Sequence, residues 1–404
     1  MMRILIVNMY YYPNMIGGAE HSVKILAETL HKKGIEVYVY SLDGSQPLDV
    51  FSPEIINGVI VFRGFSKSIY ERRIKGNKHL IDKLLNGVHS IRNCKAEKDI
   101  ECIAERIKPD VIHTNNLVSI SYNCWRIAKR YNIGLVHTLR DYWLLDPTTV
   151  IGKSNKIFIW LFRKYTKRLT DGFCGCVTAP SQKVLDIFHE KQFFLTVSNY
   201  VVANCIEFNE KNTYSVIRSK MLRDDRRVKF IYAGYLADNK GILKLLEEFA
   251  LSKSENKELI VCGNGPLEKE VIEATNNDDR IKFMGKIDKE KLEQIYNDGD
   301  VLIVPSLWDE PFGRIIIEGA SQGLPVIGSN RGGIPEIITK LGNGEIINPS
   351  ERGELSNAID RFSNRSFIKR YISQITHNIS IYSADYQAME FISIYETCVR
   401  IKNK

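Results

Sequence analysis

Between Val301 and Glu336 the chain gathers carboxylates, glycines and cations into one short stretch. A hydrophobic run from Val301 to Pro305 reads as a buried strand that ends at Ser306. It is followed by Trp308-Asp-Glu310-Pro311-Phe312-Gly313-Arg314 and then Ile315 to Glu318. Phe312-Gly313 marks a turn, and Ile315 to Ile317 forms the buried face of a helix. Glu310 then falls near the helix start and Glu318 about two turns into it. A carboxylate accepts in a bidentate manner and suits paired hydroxyls such as a ribose diol. The same spacing also fits a capping glutamate followed by a surface one.

The next segment weighs against that plainer alternative. Leu324-Pro-Val-Ile-Gly328 reads as another strand, and Gly332-Gly333-Ile-Pro-Glu336 as a glycine turn opening a helix. Glycines at a helix N-terminus can cradle a phosphate with backbone N–H groups. Two more such turns occur. Pro13 to Glu20 carries Gly17-Gly18, and Gly263-Asn-Gly265-Pro266 comes after an apolar run, with Pro266 suited to the first helical position. Each alone is equally ordinary turn chemistry, and none is G-x-G-x-x-G. Three such turns beside paired carboxylates point to a nucleotide diphosphate bearing hydroxyl-rich groups.

The elements that must position these residues alternate. Ile4 to Asn8, Glu36 to Tyr40, Val111 to His113, Leu135 to Thr138 and Val177 to Ala179 read as strands, and Ala19 to Lys33 as an amphipathic helix. The rhythm restarts with strands at Lys229 to Ala233, Leu259 to Cys262, Ile281 to Met284, Val301 to Pro305 and Pro325 to Gly328. Helices are predicted at Lys240 to Phe249 and Leu267 to Ala274. Such alternation implies parallel sheets covered on both faces. The polar stretch Ser198 to Arg227 has no strong periodicity and is predicted to link two α/β domains, 1–200 and 201–382. Two such domains facing each other would place a site in the cleft between them.

Composition narrows the function classes. With 404 residues, 44% of them hydrophobic and 26% charged, the chain suits two folded domains. A net charge of +8 attracts anions of any kind. The cysteines are scattered except for Cys174 and Cys176, so no metal or disulfide framework is expected. The N-terminal apolar run is too short for a signal peptide, and no stretch approaches the roughly 18 apolar residues of a membrane span. No nucleic-acid module appears, so no nucleic acid is expected as a partner.

Taken together, these motifs resemble glycosyltransferase family 4, the retaining family with the GT-B fold. The resemblance runs nearly end to end. It rests on Glu310-Pro-Phe-Gly with Glu318, on Gly-Leu-Pro-Val-Ile-Gly328 and on Gly-Gly-Ile-Pro-Glu336, with Gly17-Gly18-Ala-Glu20, Asp110-Val-Ile-His113, His137-Thr-Leu-Arg140-Asp141 and Gly263-Asn-Gly-Pro266 in support. It implies two facing Rossmann-like domains, with the last helix, 383–404, packing back on the first. It implies that Glu318 holds the donor ribose, and that Glu310, with the Phe312 and Gly313 N–H groups, holds the transferred sugar. Gly17, Gly18 and Lys240 would contact the diphosphate, and Gly234, Gly265, Pro266, Pro311 and Arg314 would complete the donor site. Arg140 and His113, with Glu310, would be the catalytic groups. No cofactor and no metal are implied.

Two residues depart from the family's pattern. Tyr235 stands where a phosphate-clamping arginine is usual, with Arg314 or Arg331 as replacements, and Arg140 stands where a histidine is common. The implied reaction is transfer of a hexose or N-acetylhexosamine from a nucleotide sugar, UDP-linked, to a lipid-diphosphate-linked saccharide of a bacterial surface polysaccharide. An epimerase of the same architecture and an inactive donor-binding protein are the rivals. Lys153 to Arg168 interleaves Lys and Arg with Phe158, Trp160 and Phe162, and Arg63 to Lys108 is also basic. Both fit a surface that meets the cytoplasmic membrane face, giving a cytoplasmic, peripheral location.

Overall fold

The computed structural model describes residues 1–15, 17–44, 49, 52–65, 90, 92–147, 156–207, 209–224 and 227–402. They form two units, Met1–Cys205 with Ala384–Lys404, and Ile206–Ser383.

In the first unit Ile4, Leu5, Ile6 and Val7 are all fully buried, as a strand covered on both faces requires. This strand, β1 (Arg3–Val7), leads to α1 (Gly18–Lys32), β2 (Glu36–Gly44), β3 (Glu54–Ile56), β4 (Val59–Phe65), α2 (Cys94–Ile107), β5 (Val111–Thr114) and α3 (Cys124–Arg130). Then come β6 (Gly134–Thr138), α4 (Lys156–Asp171), β7 (Cys176–Ala179), α5 (Gln182–Glu190) and β8 (Ser198–Val201). The sheet order is β3-β4-β2-β1-β5-β6-β7-β8. Every neighbouring pair is parallel except β3 with β4.

The second unit starts with α6 (Glu210–Met221) and β9 (Val228–Ala233). A short 3-10 turn, Asp238–Lys240, precedes α7 (Ile242–Leu251), β10 (Lys257–Cys262), α8 (Glu268–Asn277), β11 (Ile281–Gly285), α9 (Lys289–Asp298) and β12 (Val301–Val304). It ends with α10 (Arg314–Ser321), β13 (Val326–Ser329), α11 (Ile334–Leu341), β14 (Gly344–Ile347), α12 (Glu354–Phe362) and α13 (Arg365–Asn378). Its sheet runs β11-β10-β9-β12-β13-β14, parallel throughout. The last helix, α14 (Ala384–Lys402), belongs to the first unit. Its Ala388, Phe391, Ile394, Tyr395 and Cys398 share a core with Ile4, Val23, Val111 and Val136.

The polar stretch from Ser198 departs from its sequence reading, because it contains β8 and α6. Helix α6 turns Thr213, Ile217 and Lys220 inward. The Lys220 ammonium donates to the Tyr296 carbonyl at 2.7 Å and the Gly299 carbonyl at 2.6 Å. A threonine and a lysine on the buried face erase the apolar stripe that would have announced the helix. Of the basic stretches, residues 66–89, 91 and 153–155 lie outside the described residues. Helix α4 is described, and it is anchored by Ile159, Thr166 and Thr170. The Thr166 hydroxyl donates to the Leu144 carbonyl at 2.7 Å, and Arg163 Nε to that of Leu145 at 2.8 Å. Its other side exposes Ile157, Phe158, Trp160 and Leu161. Among the described residues no helix is long and apolar enough to cross a membrane.

Glu248 shows how the second unit accommodates a fully buried charge. Its carboxylate, on α7, accepts the N–H of Gly353 at 3.0 Å and that of Ser356 at 3.1 Å, at the start of α12. Lys244 approaches it to 3.6 Å. Burial alone would raise this carboxyl, but the N–H groups and then Lys244 bring it below its ordinary value. A folded-state value below the unfolded one stabilises the fold above the unfolded value, and that stability is lost as pH falls through the folded one. Glu248→Gln should therefore cost about 1–3 kcal/mol at pH 7, read as a melting temperature lower by several degrees. The gap to the wild-type protein should close as pH drops below about 4.

Candidate functional site

In the second unit the strand order reverses at β9, which lies between β10 and β12. Ligands of open α/β sheets bind beyond the carboxyl ends of the strands at such a reversal. The two loops that leave it there, after β9 and after β12, carry Lys240 and Glu310. Lys240 Nζ lies 2.8 Å from Glu310 Oε1 and 5.3 Å from the centre of the Trp308 ring. The Ser306 hydroxyl donates to the same Glu310 oxygen. Glu310 is thus a partly buried carboxylate held from two sides beside a cation.

Its backbone is fixed just as firmly. The Gly332 N–H donates to Asp309 Oδ1 at 2.9 Å, and the Gly333 N–H to the Glu310 carbonyl at 2.8 Å. Gly332 has φ +58°, and a Cβ there would stand 2.1 Å from the Glu310 carbonyl oxygen. Only glycine allows the two loops to touch in this way. This corrects the phosphate-cradle reading of Gly332-Gly333, whose N–H groups are taken by protein acceptors. By contrast, among the described residues no protein acceptor takes the N–H groups of Phe312 and Gly313, which precede α10. Phe312 itself is buried edge-on against Tyr382, at 6.2 Å between ring centres, and with Pro311 it completes the turn into α10.

Arg314 and Glu318 sit one turn apart on α10 and form an ion pair, Nε to Oε1, of 2.7 Å. Arg314 is therefore already engaged, while Glu318 remains partly exposed. Tyr235 is 57% exposed, and its carbonyl accepts the Tyr232 hydroxyl at 3.1 Å. An added Cβ at Gly234 would make ordinary contact with the Tyr232 ring, its oxygen at 3.6 Å. Gly265 supports the same loop from behind. A Cβ on it would stand 2.4 Å from the Leu236 carbonyl oxygen, and Leu236 N–H donates to the Asn264 carbonyl at 2.9 Å. Pro266 does not occupy the first helical position. The Leu267 N–H is held by the Leu236 carbonyl at 3.1 Å, and α8 begins only at Glu268.

The first unit carries the remaining candidates, also at the carboxyl ends of its strands. Gly17 and Gly18 are exposed at the start of α1. Gly17 has φ −146°, which any residue adopts, and an added Cβ would meet only Glu20 Oε2, at 3.5 Å. Neither strain nor packing demands a glycine there. Glu20 itself is buried and accepts the Gly17 N–H at 2.8 Å, and burial pushes its carboxyl up, with Arg140 opposing and Asp141 adding to the rise. Arg140 Nε donates to Asn115 Oδ1 at 3.0 Å, and its Nη1 to Asn204 Oδ1. Burial likewise raises the Asp141 carboxyl. The structure thus gathers Gly17, Glu20, Arg140 and Asp141 in one polar cluster.

His113 is not part of that cluster's chemistry, which corrects its assignment as a catalytic group. It is fully buried, with Nδ1 2.8 Å from the Tyr395 hydroxyl and Nε2 2.7 Å from the Thr138 hydroxyl. Burial, then Arg140 and His137, hold its basicity well below the ordinary value. Both ring nitrogens are committed to tying β5 to β6 and α14. His137 is similar. Burial, with Arg140 adding to it, pushes its value down to about 3, against a hydrogen bond at Thr114 that raises it.

Sequence reasoning missed Ser306 as a partner of Glu310 and Asp309 as the acceptor of the Gly332 N–H. Both stand in the same loop, but a serine at a strand end and an aspartate in a turn read as ordinary turn residues. Among the described residues no three His, Cys, Asp or Glu side chains are grouped to hold a metal. All eight cysteines are free thiols, Cys174 exposed and Cys176 buried.

Residues 16–207 match the family model described as Glycosyltransferase Family 4, and residues 214–376 match Glycosyl transferases group 1. An uncharacterised 42.6 kDa protein in the cps region of Klebsiella pneumoniae is 31% identical over 353 residues, covering 85% of this chain and 89% of that protein. Among solved structures, a sucrose-phosphate synthase from Thermosynechococcus elongatus superposes with a TM-score of 0.76 at 19% identity, over 98% of this chain and 99% of that one. HepE of Anabaena, in complex with UDP and glucose, gives a TM-score of 0.69 at 18% identity, over 98% of this chain and 100% of that one. At such identities the structural likeness is one of fold. Two parallel-sheet α/β units and the match along both make this chain a family 4-type glycosyltransferase of the GT-B fold, a hexosyltransferase.

Proposed function

We propose that this enzyme transfers a hexose or N-acetylhexosamine from a UDP-sugar to a lipid-diphosphate-linked saccharide, with retention at the anomeric carbon, in the synthesis of a bacterial surface polysaccharide. The observation that carries the donor half is the Lys240–Glu310 pair at the strand-order reversal, with the partly exposed Glu318 one turn into α10, not two as the sequence suggests. Carboxylates of this kind accept hydrogen bonds from sugar hydroxyls, and a lysine beside them neutralises phosphate. Glu318 would take the ribose, Glu310 the transferred sugar, and the N–H groups of Phe312 and Gly313, for which the described residues supply no acceptor, further sugar oxygens. The UDP and glucose bound by HepE, and the cps-region origin of the Klebsiella relative, support the donor and the pathway.

In the reaction the bond from the anomeric carbon to the diphosphate oxygen breaks as the bond to the acceptor oxygen forms on the same face. The acceptor's proton passes to the departing phosphate. Lys240 and the helix N-terminus at Gly313 stabilise the charge that grows on the diphosphate. No resident metal is needed for this neutralisation. Tyr235, without a charge, cannot contribute to it.

The first unit would receive the acceptor. Its α4 leaves Ile157, Phe158, Trp160 and Leu161 exposed beside Lys156, Lys164 and Arg168, and Lys164 Nζ lies 5.4 Å from the Trp160 ring centre. Apolar side chains interleaved with cations suit the interface of an anionic leaflet. Such contact would hold the enzyme where a lipid-linked acceptor is found.

Two measurements test these assignments. A thermal-shift panel of UDP, GDP, ADP and dTDP should show stabilisation by UDP, about 2.7 kcal/mol at a hundredfold excess over the dissociation constant. Glu318→Ala should abolish it, and a panel with no shift, or a shift unchanged in the variant, would refute the donor assignment. Sedimentation with vesicles containing anionic lipid should pellet the wild-type protein. The triple variant Lys164→Glu, Lys167→Glu, Arg168→Glu should stay in the supernatant, and equal pelleting of both would sink the membrane reading.

A further inference from the structure

Three cations stand on the loops around Glu310, and they are in different states. Lys240 is paired with Glu310, and Arg314 with Glu318. The Arg331 side chain makes no hydrogen bond and no ion pair among the described residues, although it is partly buried and its Nε is shut off from solvent. A guanidinium N–H withdrawn from water and given no acceptor is uncommon in folded proteins and calls for an acceptor from outside the chain.

Its position is preset. Arg331 directly precedes Gly332, the residue that touches the Glu310 backbone, and the bonds from Gly332 and Gly333 to Asp309 and Glu310 hold that turn in place. Glu310 and Glu318 each have a cation, and the third carboxylate, Asp309, accepts the Gly332 N–H. An anionic ligand entering this region finds in Arg331 a guanidinium with no side-chain partner among the described residues. We infer that Arg331 recognises an anionic group of the bound donor, and that the turn Asn330–Gly332 is the subsite for it. This rests on the second unit being the donor half. Two groups of a nucleotide sugar offer the same anionic oxygens to a guanidinium fork, namely the diphosphate and a carboxylate on the transferred sugar.

Calorimetric titration of the wild-type chain, Arg331→Lys and Arg331→Gln with UDP, UDP-glucose and UDP-glucuronate separates them. Arg331→Gln should weaken binding about 10-fold or more, as loss of a charge-assisted hydrogen bond does, and Arg331→Lys by less. Weakening toward all three ligands assigns the diphosphate. Weakening confined to UDP-glucuronate assigns a sugar carboxylate. Unchanged affinity for all three in Arg331→Gln overturns the inference while leaving the donor reading intact. A wild-type chain that binds none of them overturns both. Because the Arg331 side chain makes no bond among the described residues, the unliganded melting temperatures should match. Should Arg331→Gln fail to fold, Arg331→Lys decides alone, and affinities equal to wild type then overturn the inference.

Discussion

The contact between Gly332 and the Asp309–Glu310 backbone governs the second unit's functional end. Loops at the ends of parallel strands have no neighbouring strand to fix them, so their geometry must come from contacts of their own. Here one loop is fastened to the next by two backbone donors, and the fastening requires a residue without a side chain at φ +58°. With the backbone of Glu310 set, Ser306 and Lys240 can hold its carboxylate from either side. Gly265 does the same service for the loop after β9, bringing Leu236 against Asn264. Much of the glycine-rich character of this chain's motifs is thus spent on loop-to-loop packing, whereas an added Cβ at Gly17 or Gly234 would meet nothing closer than 3.5 Å.

That division explains which features are legible in the sequence. Strands such as β1 and β12 are legible because each is a short apolar run between turns, whereas β3, β4, β8 and β14 are absent from the sequence reading. The carboxylates are legible as a pair because Glu310 and Glu318 flank one helix start. Their partners are not. Whether an N–H at Gly332 meets a phosphate or an aspartate depends on where another loop lies, which local spacing does not encode. Helix α6 is hidden for a related reason: Lys220 is buried because two carbonyls receive its ammonium, and both belong to residues far along the chain. His113 is a third instance. A histidine at a strand end is a catalytic candidate until α14, almost three hundred residues later by sequence, places Tyr395 against it.

The state of the charges in the second unit bears on how it can bind and release a ligand. Glu310 and Glu318 are each neutralised by a lysine or arginine beside them, and Asp309 accepts a backbone N–H, so none is left desolvated and alone, which would be strongly destabilising. A ligand that offers both hydroxyls and anionic oxygens can exchange with these pairs, its hydroxyls going to the carboxylates and its anion to the cations. Little net charge is then buried at any stage. A ligand with hydroxyls alone would leave the cations paired as they are and gain less. Specificity for a compound that carries both kinds of group arises from pairs that must be opened together. The Gly332 contact keeps the loop that bears Glu310 in place while its pair opens.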